Sequence, residues 1–173
     1  MRHLKIALVA TLLIGLVVLS GVAKTAPTPE GEVILTASGS IALTNSDETF
    51  EFDLDMIKGL AKEVYESEDP WSGKQEFTGV KVITLLEYLG FPKDAEKVVF
   101  TAEDGEFTEI PVEHAVQYPI VLAYQTGGYD LPHRMGGPLK LMWPWNDEYE
   151  DMEELYPPKE QKNYWIEEME VVY

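Results

Sequence analysis

The sequence of 173 residues contains no cysteine. This absence excludes disulfide bonds, thiolate metal sites, iron–sulfur clusters, covalently attached haem and catalytic thiols. It is compatible with an oxidising or a reducing compartment, because a chain without thiols is indifferent to both. Any chemistry of this protein therefore rests on oxygen and nitrogen groups, on aromatic rings or on the shape of its surface.

Positive charge is also scarce. The chain has 13 lysines and arginines against 31 acids, which gives a formal net charge of -18. Beyond the N-terminal segment the only arginine is Arg134. Such an acidic surface repels nucleic acid and anionic lipid headgroups, so neither is expected as a partner. The same surface favours solubility and attracts cations or basic partners.

Long apolar runs are missing from the sequence except near its start. Arg2 and Lys5 precede an almost purely apolar run over residues 6–19, and small residues follow over 20–23. This order is typical of a secretory signal peptide. Extended through the small residues, the run reaches about the shortest length that spans a bilayer, so an N-terminal membrane anchor remains the alternative. Either interpretation predicts an extracytoplasmic protein, which is secreted, periplasmic or held on the outer face of a membrane.

The N-terminal segment also lacks a pair of adjacent arginines. Such a pair marks proteins that are exported with a cofactor already inserted. An ordinary leader passes an unfolded chain across the membrane, and a cofactor inserted only in the cytoplasm would be lost on the way. The sequence thus predicts export without a preassembled cofactor.

The rest of the sequence has the length of one domain. Residues 24–31 contain two prolines and predict a linker, and residues 32–173 predict one folded domain. Many short strands and a few short helices, without regular βαβ alternation, predict an α+β fold with a mixed β-sheet. Strands are predicted at 32–37, 41–44, 50–52, 77–80, 97–102, 107–110, 120–125, 138–143 and 165–173. Helices are predicted at 54–64, 82–89 and 111–116, and loops at 66–74 and at the acidic segment 147–154.

Three local signals support these boundaries. Asp53 directly precedes a helical apolar pattern and is a suitable N-cap. Gly90 follows the last apolar position of the next helix and is suited to end it. Asp104 and Gly105 lie between two alternating segments and predict a hairpin turn.

Five short stretches resemble one known family in their order and spacing. They are Phe52 to Leu54; Phe77 to Val80 with Leu85, Leu86, Leu89 and Gly90; Ala102 to Gly105; Leu131 and Pro132 with Gly136 to Leu141 and Pro144; and Tyr164 to Ile166 with Glu170. On these residues the sequence resembles the oxidoreductase molybdopterin-binding domain family, whose fold is that of sulfite oxidase. The resemblance covers about residues 32–173 and implies that fold.

The resemblance implies a cysteine that this sequence does not have. In that family a cysteine thiolate on the loop before the Phe-x-Gly-Val strand binds molybdenum, and the corresponding residues here are 66–73. Hydroxyl and carboxylate groups are poor substitutes for a soft thiolate. The pterin phosphate also requires cations, and Arg134, Lys140 and Lys162 are few for that task. The resemblance therefore implies a domain that has lost its metal, and no cofactor is predicted.

A relic pocket is still a candidate ligand site. Trp71 can stack on a ligand or fill the vacated volume, and His133 with Arg134 can form the edge of an anion site or lie at the surface. The glycine pair at 136 and 137 permits close approach of a ligand or another strand, or only a tight turn. The candidate pocket residues are Asp69, Trp71, His133, Arg134, Gly136, Gly137 and Lys162.

No other constellation in the sequence carries a chemistry. His114 is interpreted as an ordinary helix or loop histidine, and the acidic segment 147–154 lacks the glycine and alternation of a calcium loop. No nucleophile elbow, phosphate loop or dinucleotide fingerprint is present. The sequence predicts no catalytic residue and no metal. It favours a small-ligand or protein-binding component of an envelope redox or sensing system. The alternatives are a molybdopterin-dependent oxidoreductase with a non-cysteine metal ligand and a structural interaction module with a filled pocket.

Overall fold

Ten strands and four short α-helices make up the described part of the chain, which in this computed structural model comprises residues 26–69, 73–146, 148–158 and 163–173. The strands are β1 (Val33–Gly39), β2 (Phe50–Asp53), β3 (Lys62–Asp69), β4 (Gly73–Lys81), β5 (Lys97–Ala102), β6 (Phe107–Pro111), β7 (Val121–Thr126), β8 (Tyr129–Asp130), β9 (Lys140–Met142) and β10 (Ile166–Val172). The helices are α1 (Leu54–Lys58), α2 (Val82–Leu89), α3 (Val112–Gln117) and α4 (Met152–Leu155), and a 3-10 turn covers His133–Met135.

The strands form two sheets. The first has the order β2-β1-β10-β5-β6, in which β1 and β10 run parallel and the other neighbours run antiparallel. The second has the order β3-β4-β7-β8, and β9 also pairs with β7. The predicted α+β class with a mixed sheet is therefore confirmed. No helix within the described ranges is long and apolar enough to cross a membrane.

The main core lies between the sheets and α2. Strand β5 alternates buried and half-buried residues, as its sequence predicts, and places Val98 and Phe100 inside. Helix α2 buries four apolar residues and ends at Gly90, whose φ of 72° is left-handed. A smaller apolar cluster occupies the second sheet, with members Phe77, Val121, Ala123, Leu131, Met142 and, at its margin, Met135.

The predicted helix over residues 54–64 is wrong beyond its first turn. Asp53 is the N-cap as predicted, but α1 ends at Lys58 and Val64 lies in β3. The predicted loop over 66–74 is wrong for its described residues, because 66–69 complete β3 and 73–74 begin β4. The physical reason is the long antiparallel ladder, which joins β3 to β4 from Lys62↔Val80 to Asp69↔Gly73. These distant pairings outweigh a local helical pattern.

Three further predictions are corrected in detail. Residues 41–44 are not a strand, because the backbone N–H groups of Ala42 and Leu43 donate to the carbonyl of Leu89 at the end of α2. The acidic segment is not entirely a solvated loop, since α4 buries Met152. Trp165 precedes β10 instead of starting it, and its φ is 53°.

The Asp53 carboxylate joins the linker to the first helix. Its oxygens accept from the backbone N–H groups of Glu30 at 2.7 Å, Gly31 at 2.9 Å and Met56 at 2.8 Å. These donors, the one of Gly31 foremost, lower the pKa of Asp53 below its usual value. The charged carboxylate thus stabilises the fold. This contribution is fully present at pH values above the pKa that Asp53 has in the unfolded chain.

We predict that Asp53→Asn is destabilised by about 1 kcal/mol at pH 7, because the amide keeps one acceptor and loses the charge. As pH falls below about 4, through the lowered folded pKa, the wild-type protein loses this contribution and its stability approaches that of the variant. Urea denaturation at neutral and acid pH measures the gap. Asp94→Asn, at an exposed turn, is the matched control. A gap for Asp53→Asn that does not change with pH would contradict the assignment.

Candidate functional site

The segment from Leu131 to Leu141, which carries the family resemblance, folds as a tight turn before β9. The 3-10 turn His133–Met135 ends at Gly136, whose φ of 91° is in the left-handed region. The N–H of Gly136 donates to the carbonyl of His133 at 2.9 Å, and the N–H of Gly137 donates to that of Pro132 at 3.1 Å. Glycine is required at 136, because a side chain there would be strained by the backbone alone.

The close approach that the glycine pair permits is occupied by the chain itself. A Cβ atom at Gly136 would overlap the ring of Tyr164, and one at Gly137 would overlap the carbonyl of Leu131. The N–H of Trp165 also donates to the carbonyl of Gly136 at 2.8 Å. Gly136 therefore permits close packing of the turn against the segment before β10, and Gly137 permits close approach of the Leu131 carbonyl.

His133 lies at the surface beside this turn. Its imidazole is 64% exposed, and its Nε2 lies 3.1 Å from Oε1 of Glu103. The ring stacks on Trp165 with centroids 5.3 Å apart, and the indole N–H of Trp165 donates to the carbonyl of His133 at 2.7 Å. Arg134 is exposed next to it. The two side chains expected at an anion pocket thus lie on an open surface, where His133 is already held by neighbours of its own.

Lys140 is a feature that the candidate pocket omitted. Only 2% of it is exposed, and its Nζ lies 4.4 Å from the centroid of the Tyr164 ring and 5.5 Å from that of Phe77. A cation over an aromatic face is attracted by the ring, and burial strengthens the attraction. Lys140 is therefore covered by rings of the chain. A signal was present in the sequence, because Lys140 is a charged residue inside the otherwise apolar segment 138–143.

The other predicted pocket residues are less informative. Asp69 is the last residue of β3, where its backbone pairs with Gly73. Trp71 and Lys162 lie outside the described residues. The structure thus brings the glycine pair, His133 and Lys140 together around Tyr164 and Trp165.

The residues that correspond to the metal loop of the family run largely as paired strand. Within 66–73, residues 66–69 and Gly73 belong to the ladder between β3 and β4. No cysteine is present there or elsewhere in the chain. The described residues also contain no group of three or more His, Asp or Glu side chains that could hold a metal ion. The described residues do not fit a molybdopterin with its metal, because the chain has no thiolate and because Gly136 and Lys140 already contact the chain's own rings.

A second polar cluster joins the acidic segment to the core. The phenol oxygen of Tyr156 lies 2.7 Å from Nδ1 of His114, and its ring stacks on Trp143 at 4.2 Å. The hydroxyl of Tyr118 donates to Asp151 at 2.5 Å. Burial raises the pKa of Tyr156 far above its usual value, so this phenol stays protonated. The cluster orders α4 and its flanks, and His114 has the ordinary structural role that the sequence predicts.

We predict that Gly136→Ala is destabilised more than Gly128→Ala by about 1–3 kcal/mol. Both positions have left-handed backbone, but a Cβ at Gly128 meets no atom within 4 Å, whereas one at Gly136 meets Tyr164. Adding Tyr164→Ala to Gly136→Ala should recover part of the loss, so the two changes should be non-additive. Urea denaturation of the wild type, the two single variants Gly136→Ala and Tyr164→Ala, and the double variant measures this coupling. Equal losses of stability at both glycines would show that Tyr164 does not occupy the space beside Gly136.

Comparisons with known proteins identify the family and the fold of this chain. Residues 48–150 match the family described as oxidoreductase molybdopterin binding domain. A stretch of 74 residues is 34% identical to the putative protein-methionine-sulfoxide reductase subunit YedZ1 of Azospira oryzae, covering 43% of this chain and 28% of that protein. The crystal structure of the sulfane dehydrogenase SoxCD from Paracoccus pantotrophus is similar with a TM-score of 0.59 at 12% identity, over 86% of this chain and 40% of that chain.

These relatives differ in what they establish. The chain spans less than half the length of each of the two proteins, and the likeness to SoxCD, at so low an identity, concerns the fold alone. The match over residues 48–150 covers more than half of this chain. This protein belongs to the oxidoreductase molybdopterin-binding domain family, and it is a member without cysteine.

Proposed function

We propose that this protein is a non-catalytic member of its family that acts outside the cytoplasm. In this proposal it is a protein-binding component of an envelope redox or sensing system. The extracytoplasmic part rests on the N-terminal segment over residues 1–23, which has the features of a signal peptide or an anchor.

The observation that carries the proposal is that the segment has no cysteine and that its described residues on both sides pair as an antiparallel ladder. Residues 66–69 pair with 73–76, and the segment contains no cysteine. Hard oxygen ligands suit magnesium or calcium, whereas molybdenum held by pterin sulfurs is matched by a soft thiolate. A paired strand also fixes its backbone in an extended form, which leaves little freedom to fold around a metal. Both features support loss of the metal-dependent reaction.

The surroundings of the glycine pair favour a protein partner over a small ligand. The approach to Gly136 is taken by Tyr164, and the ammonium of Lys140 is covered by Tyr164 and Phe77. A small-molecule site normally requires a concave, preformed volume with a few polar groups directed into it. Here the polar group that would serve an anion is already enclosed. The segment from Leu131 to Leu141 therefore supports the alternative of an interaction module whose pocket is filled by the protein's own side chains.

A relative supplies further support for assembly with other proteins. YedZ1 of Azospira oryzae is named as a subunit of a putative protein-methionine-sulfoxide reductase. The similar stretch covers 28% of that protein, so its activity is not transferred to this chain. What the name supports is a role as one component among several.

We predict that the protein purified from its native envelope contains molybdenum far below one atom per chain. Elemental analysis of the full-length chain, with a cysteine-containing member of the family produced and purified in parallel, measures this content. The parallel protein shows that the cofactor is supplied and survives purification. Stoichiometric molybdenum in this chain would instead support the alternative, an oxidoreductase with a non-cysteine metal ligand.

Partner binding is tested separately in the intact envelope. Chemical crosslinking in cells that express the full-length chain should convert it into a discrete species larger than the monomer, and mass spectrometry of that species should identify a second protein. A chain that stays monomeric under conditions that crosslink known envelope complexes would contradict the protein-binding role.

A further inference from the structure

Strand β3 is an outer edge of the second sheet. Within the described ranges β4 is the strand paired with it, and β3 lies at the end of the strand order. Lys62 and Glu66 are exposed, and Val64 is 48% exposed. Along an edge strand, alternate residues direct backbone N–H and C=O groups away from the sheet. Such a row is a template for another extended chain.

The other outer strands are shorter or differently shielded. Strand β2 has four residues and leads directly into α1, and β6 has five and ends at Pro111. Strand β8 has two residues. Strand β3 has eight residues and no proline, and its register with β4 has no bulge. Short length, proline and bulges are the usual means of protecting an edge, and β3 has none of them.

The ladder of β3 and β4 also extends beyond its neighbour. Strand β7 ends its pairing at Phe77↔Thr126, and the N–H of Gly127 donates to the carbonyl of Glu76 at 3.1 Å. Past this point residues 66–69 and 73–75 continue as a two-stranded arm, as far as the described residues extend. The edge is thus presented on a projection from the sheet.

Charge determines which chain the edge can accept. Strand β3 has the sequence KEVYESED, with four acids and one lysine. Glu63 is paired with Lys81 at 3.2 Å, while Glu66 is exposed. A second copy of this chain, with a net charge of -18, would be repelled. An extended segment rich in lysine or arginine would be attracted, and this attraction would raise its rate of association.

We infer that β3 accepts an extended basic segment of a partner protein as an additional strand of the second sheet. This inference rests on the proposed protein-binding function and specifies its surface and its partner. Backbone hydrogen bonds supply most of the affinity in this mode, and alternate side chains supply selectivity. In this arrangement the exposed Val64 gives an apolar contact and the exposed Glu66 favours a basic partner.

A protective role for the same acids is the rival explanation. Charges on an edge strand also prevent aggregation without any ligand. The two explanations differ in their dependence on the backbone. Protection requires only repulsion, whereas strand addition requires free N–H and C=O groups on both chains.

The test uses a peptide of about eight residues that alternates lysine and valine, long enough to span β3. A second peptide of the same sequence carries an N-methyl group on every amide, so that neither of its edges can donate to β3, and a third replaces lysine by glutamate. We expect the first to bind the full-length protein and to slow amide exchange along β3. The N-methylated peptide should bind at least about tenfold more weakly, and the acidic peptide should not bind.

Variants of the protein provide the matched test. Glu66→Lys should weaken binding of the basic peptide by about tenfold, whereas Glu87→Lys makes the same charge change at an exposed site on α2 and should have little effect. Thermal unfolding of both variants confirms that each is folded. Equal binding of the plain and N-methylated peptides, or equal effects of the two variants, would reduce the interaction to charge alone and overturn the inference.

Failure of this inference is distinguishable from failure of the proposed function. If crosslinking in the envelope yields a partner but that partner leaves amide exchange along β3 unchanged, protein binding stands and the β3 surface is wrong. If neither the envelope partner nor the basic peptide is bound, both proposals are wrong.

Discussion

The continuous antiparallel pairing of β3 with β4 is the constraint on which the rest of this structure depends. It runs from Lys62↔Val80 to Asp69↔Gly73 and includes residues that correspond to the metal loop of the family. Pairing in this ladder holds the residues in an extended conformation and uses alternate backbone groups of β3. The same ladder shortens α1 to five residues and creates a long outer edge. The ladder therefore accounts for the short first helix and for the long outer edge of the second sheet.

Contacts within the protein also close the turn before β9, over residues 131–139. Tyr164 lies where a side chain at Gly136 would be and covers Lys140, and Trp165 bridges the turn through its indole N–H and its backbone N–H. Burying an ammonium is costly unless electrostatic partners compensate the lost hydration. The rings provide part of that compensation within the chain. Lys140 is therefore enclosed by side chains of the protein itself.

Local signals predicted much of the fold. The alternation of β5, the left-handed Gly90 at the end of α2 and the hairpin around Gly105 are all present as the sequence indicates. Membership of the family was also predicted, from the order of its short stretches, and is confirmed by the match over residues 48–150. For the strand, the helix end and the hairpin, the physical cause acts between residues that are close in the sequence.

Long-range effects were not predicted. The apolar spacing from Leu54 to Val64 is helical, yet sheet pairing places Val64 in a strand. Lys140 is buried because the rings of Phe77 and Tyr164, distant in sequence, meet above β9. The stacking of His133 on Trp165 joins two segments in the same way. Such contacts depend on tertiary packing, which local patterns do not encode.

The most direct test of this account is residue-resolved amide hydrogen exchange in the isolated, metal-free protein. If β3 and β4 form a stable ladder without a cofactor, about every second amide over residues 66–69 should exchange slowly, because alternate N–H groups of an edge strand donate to its neighbour. The amides between them should exchange rapidly. Fast exchange of every amide in this segment would mean that it is an open loop, and the central claim would be wrong.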